Sequence, residues 1–92
     1  MSRITIEELS KRAIQRPGVD LYTVEDALVL VKLCQQASTP ILGIDAFIIY
    51  ADKVQPSLEN SIDLSFVNNC YDVATRFLTD RYNLNFVYEI VY

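Results

Sequence analysis

The sequence predicts a small α+β domain, ordered α-α-β-α-β, with helices packed on one face of a small sheet. Three observations carry that prediction. Two stretches, 41-ILGIDAFIIY-50 and 85-NFVYEIVY-92, are rich in β-branched and aromatic residues and have the length of strands. Three others repeat apolar residues at helical spacing behind a Thr, Asp or Ser that can cap them. The chain has 92 residues, 51% of them hydrophobic, which suffices for one core and one domain over 1–92.

Residues 5–16 read as the first helix. Thr5 and Glu8 have the spacing of a capping box. Ile6, Leu9, Ala13 and Ile14 recur at helical intervals. Lys11, Arg12 and Arg16 lie toward the end, where the macrodipole favours cations. Pro17-Gly18 then reads as a stop. Residues 24–37 read as the second helix, with Thr23 and Asp26 at its start. Its stripe of Val24, Ala27, Leu28, Val31 and Cys34 is widened by Leu30 and Leu33, so it is expected at the centre, covered on two sides. Pro40 ends it by disfavouring the helical conformation at Thr39.

Residues 41–50 read as a strand whose side chains alternate faces. One face is Leu42, Ile44, Ala46, Ile48 and Tyr50, and points to the core. The other is Ile41, Gly43, Asp45, Phe47 and Ile49. Asp45 is therefore expected outside the main core, with Gly43 leaving room beside it. The segment 52-DKVQPSLENSID-63 has loop composition, with a short edge strand expected only near residues 53–55. The third helix is capped by Asp63 or Ser65, keeps the rhythm Phe66, Cys70, Val73, Ala74, Phe77, Leu78, and ends near Tyr82-Asn83. In the closing strand, Phe86, Tyr88, Ile90 and Tyr92 share one face and Val87, Glu89 and Val91 the other. Parallel and antiparallel pairing of the two long strands both remain open.

Composition narrows the function classes. Eight basic against 12 acidic residues give a net charge of −4. That argues against nucleic-acid binding, which needs a basic face, and is compatible with a basic protein partner. There is no histidine, which removes the commonest general base and metal ligand. Cys34 and Cys70 fit no CxxC pattern, so no metal site is expected and both read as reduced, buried thiols. No cofactor motif appears. The N-terminus lacks the apolar core of a signal peptide, and no apolar run reaches the ~20 residues of a membrane span. A cytoplasmic, non-enzymatic protein is the expectation.

Asp45 and Glu89 each lie mid-strand on the less apolar face. If the two strands are neighbours, the carboxylates share a sheet surface with Phe47. Paired carboxylates can serve acid–base chemistry or a hard cation, but nothing else marks a pocket, and a partly wet sheet face is the plainer reading. Carboxylates mixed with aromatics also suit protein recognition, with acids steering a basic partner and aromatics supplying affinity. Most tyrosines read as boundary residues with wet hydroxyls. The loop acids Asp52, Glu59 and Asp63 and the amide of Asn60 can reach a basic cleft or simply serve turns and a helix cap.

The run 41-ILGIDAF-47, the Pro/Glu/Asn loop, the amphipathic helix and the closing 86-FVYEIVY-92 resemble bacterial immunity proteins of polymorphic toxin systems, specifically the immunity protein 40 family. The likeness covers roughly residues 24–92 and is one of pattern, with Gly43, Asp45 and Asn60 its best-matching positions. It implies a cytosolic inhibitor that binds one cognate toxin domain, many of which are nucleases with basic clefts. The partner-binding residues expected are Asp45, Phe47, Glu59, Asn60 and Glu89. A homo-oligomeric module paired through Ile41, Phe47 and Ile49 is the alternative.

Overall fold

A computed structural model of the chain describes residues 4–16, 18–51 and 53–92. Helix α1 is Ile6–Ser10, followed by strands β1, Ile14–Arg16, and β2, Val19–Leu21. Helix α2 is Val24–Gln36, β3 is Gly43–Tyr50 and β4 is Lys53–Asp63. Helix α3, Cys70–Asp80, and β5, Val87–Val91, complete the α+β fold. The main sheet runs β4-β3-β5, with β3 antiparallel to both neighbours. The β1–β2 hairpin joins its β5 side through a bridge in which Tyr22 and Tyr88 exchange two backbone hydrogen bonds of 2.8 Å.

The caps on α1 and α2 work as their spacing predicts. Thr5 Oγ1 accepts from the Glu8 N–H at 3.1 Å, and Thr23 Oγ1 from the Asp26 N–H at 3.3 Å. The core is one cluster. Leu30, Val31 and Cys34 of α2 and Ala74, Phe77 and Leu78 of α3 meet Ile44, Ala46, Tyr88 and Ile90 of the sheet. Cys34 and Cys70 are free and buried in it, and burial pushes the Cys34 thiol up. Asp26 is buried at the start of α2, where Arg12 neutralises it at 2.8 Å. No helix is long and apolar enough to cross a membrane among the described residues.

Several local expectations need correction. The first helix stops at Ser10, because residues 14–16 pair with 19–21 around Gly18, whose φ of 81° lies in the left-handed region. Residues 14–16 thus end as a strand, and the apolar rhythm through Ala13 and Ile14 misled. The stretch read as a loop is the 11-residue strand β4. Pro56 is tolerated there because β4 is an edge strand, with no second neighbour to receive its missing N–H. Helix α3 begins at Cys70, so Phe66 lies outside it and is 94% exposed. Asp63 instead braces a turn, its Oδ1 accepting from the Ser65 N–H at 2.9 Å and from the Ser65 hydroxyl. Ile41 lies ahead of β3 and is buried. Leu42, which precedes β3, and Tyr50, its last residue, both expected in the core, are exposed. Pro17 and Asp52 lie outside the described residues.

Candidate functional site

Antiparallel register sets the geometry. Asp45 of β3 stands directly opposite Glu89 of β5. On the same face, Gly43 opposes Val91 and Phe47 opposes Val87. The inner pairs alternate with these: Ile44 with Ile90, and Ala46 with Tyr88. One sheet thus carries an apolar face under the helices and a second face where Phe47, Ile49, Val87 and Val91 stay out of the core cluster.

Cross-strand neighbours of like charge repel. Asp45 and Glu89 belong to no ion pair among the described residues, where Arg12–Asp26 is the pair formed. Burial, then Asp45, then Asp20 raise the pKa of Glu89. Asp20 reaches Glu89 across a groove between the hairpin and β5, lined also by Arg16, Tyr22 and Tyr92. Burial, with the charges of Tyr92 and Asp20 behind it, pushes the Tyr22 hydroxyl up to about 12. A second, shallow groove on the other side of Asp45 is lined by Gly43, Ser61, Ile62, Asp63 and Val91. At Gly43, where β3 meets β4, a Cβ would stand 3.2 Å from the Ile62 carbonyl oxygen, a close contact that the β4 backbone would have to relieve by a small shift.

The remaining two expected residues sit on a bulge. Between Ile44 and Ala46 the partners on β4 jump from Ile62 to Ser57, leaving residues 58–61 unpaired beside Asp45. Ser61 Oγ repairs the ladder. It accepts from the Ala46 N–H at 3.0 Å and donates to the Ser57 carbonyl at 2.9 Å. Asn60 Nδ2 donates to Ser57 Oγ at 3.0 Å, so this amide braces the bulge itself. Glu59 is exposed, and so is Leu58, at 84%.

All five expected residues therefore fall on β3, β4 and β5: Asp45, Phe47 and Glu89 on one sheet face, Glu59 and Asn60 on the adjoining bulge. Sequence reasoning passed over Leu58, Asp20 and exposed Phe66. Leu58 was the readable signal, an isolated apolar residue within a polar run. Among the described residues no group of three or more acidic or Cys side chains is arranged to hold a metal ion.

Fold and surface together define a class: a small α+β domain whose antiparallel sheet is apolar beneath its helices and acidic on its open face. No protein family, curated protein or solved structure matches this chain.

Proposed function

We propose that this chain is an immunity-type inhibitor, which neutralises a bacterial toxin domain in the cytoplasm by covering its functional surface. The contact face is the open side of the sheet, with Asp45, Phe47 and Glu89 at its centre and Glu59 at its rim. The observation that carries the reading is the Asp45–Glu89 pair. Two cross-strand carboxylates without a basic partner cost stability, and a cationic protein surface would turn that repulsion into attraction. The pattern likeness to the immunity protein 40 family supports the same reading. A nuclease is the target class that fits best, because its cleft must be basic to hold phosphates. The chain itself then does no chemistry.

The test takes the product of the gene adjacent to this chain's, which on this reading is a secreted protein with a toxin domain at its C-terminus. Co-expression should yield a complex, and Asp45→Lys with Glu89→Lys should weaken it at least about tenfold while the circular dichroism stays unchanged. Wild-type affinity in that double variant would sink the assignment of the face. Self-association through the same face is the second reading, since Phe47 and Ile49 are both half-buried and outside the core. Ile41 cannot contribute to it, being 1% exposed. Light scattering on the isolated chain separates the two.

A further inference from the structure

We infer that the β4 bulge anchors this contact: Leu58 fills an apolar pocket in a basic protein, whose lysines or arginines face Asp45, Glu59 and Glu89. The inference rests on the reading just given and names where its affinity resides. A single exposed leucine is ordinary on a protein surface. What sets Leu58 apart is its support. The bulge that carries it is closed by the Ser61 and Asn60 hydrogen bonds. A pre-formed protrusion loses little conformational freedom when it docks, so more of the burial free energy appears as affinity.

Two further observations fix the mode and the partner. Strand β4 is an edge, yet it is poorly suited to accept an added strand. Pro56 offers no N–H, and the bulge interrupts the register over residues 58–61. Recognition must then go through side chains rather than through strand addition. Strands β3, β4 and β5 hold the acids Asp45, Glu59, Asp63 and Glu89 against one base, Lys53. A second copy of this chain meeting the same face about a two-fold axis would set those acids against one another. A basic partner has no such conflict.

The experiment measures association and dissociation rates with the neighbouring toxin domain at low and high salt. It compares the wild type, Leu58→Ala, Leu58→Asp, and Asp45→Asn combined with Glu89→Gln. Leu58→Ala should raise Kd at least about tenfold, mainly through faster dissociation, with the salt dependence retained. Neutralising the acids should instead slow association and flatten the salt dependence. Leu58 is exposed, so the thermal midpoint of its variants should match the wild type. Binding by Leu58→Ala within about twofold of wild type overturns the anchor and leaves the functional reading standing. A wild type that does not bind the domain overturns both. A homodimer that Leu58→Asp converts to monomer also overturns the inference, because the occupant is then a second copy.

Discussion

The two faces of one sheet follow opposite rules. On the inner face, cross-strand neighbours are Ile44 with Ile90 and Ala46 with Tyr88, buried beneath α2 and α3. One residue along the same strands, the outer face sets Asp45 against Glu89. The backbone hydrogen bonds of this strand pair serve both faces, so the ladder does not explain the difference. Burial explains the inner face. On the outer face a repulsive pair persists beside half-buried apolar residues, a combination that stability alone does not favour. Mutations that act oppositely on the two faces test that contrast.

The largest effect belongs inside. Ile44 is fully buried, and Ile44→Ala removes packing against both the helices and Ile90. It should cost about 2–5 kcal/mol in urea unfolding. Phe47→Ala, three positions away on the outer face, should cost well under half as much in the same assay. Equal losses would erase the distinction between the faces.

Next comes the seam between them. Ser61→Ala removes the acceptor that the Ala46 N–H uses in place of a strand partner. An orphaned, part-buried N–H should cost about 1–3 kcal/mol. Hydrogen exchange should quicken at Ala46, and residues 57–61 should become the most affected region. If Ser61→Ala melts as wild type does, water replaces the hydroxyl and the bulge is not rigid.

The parts legible in the sequence are those where a local rule coincides with the tertiary outcome. Thr23 with Asp26 marks the start of α2 because the cap is a short-range hydrogen bond. The alternation around Asp45 put it on the outer face, and the Asp45–Glu89 pairing needed only the further fact that β3 and β5 are neighbours. The illegible parts depend on distant partners. Residues 14–16 become a strand because 19–21 pair with them and Tyr22 bonds to Tyr88. The polar run after residue 52 becomes β4 because β3 supplies its ladder, and its loop-like residues collect in the bulge. No period or propensity in those segments records that pairing. Leu58 stands between the two: the sequence shows it as an isolated apolar residue in a polar run, but its exposure is a property of the bulge, which exists only opposite Asp45.

The smallest effect has the most informative sign. Glu89→Gln keeps the side chain's shape and removes one of two facing charges, so it should stabilise the protein by roughly 0.2–1 kcal/mol at about pH 7. Burial and the charges of Asp45 and Asp20 hold the Glu89 carboxyl above its ordinary range. The folded state therefore binds this proton more tightly than the unfolded chain does. As pH rises from the ordinary carboxylate value through the raised one, folding loses stability. The penalty is fully present above that window and absent below it. The advantage of the Glu89→Gln variant should accordingly be present at neutral pH and disappear by about pH 3, as read from urea midpoints of the two proteins across that range. An advantage that persists or grows in acid would mean that the amide acts through packing, and the repulsion attributed to the outer face would not exist. The same substitution should weaken the complex with a basic partner, so a variant that is more stable and binds less well would show that this face gives up stability for recognition.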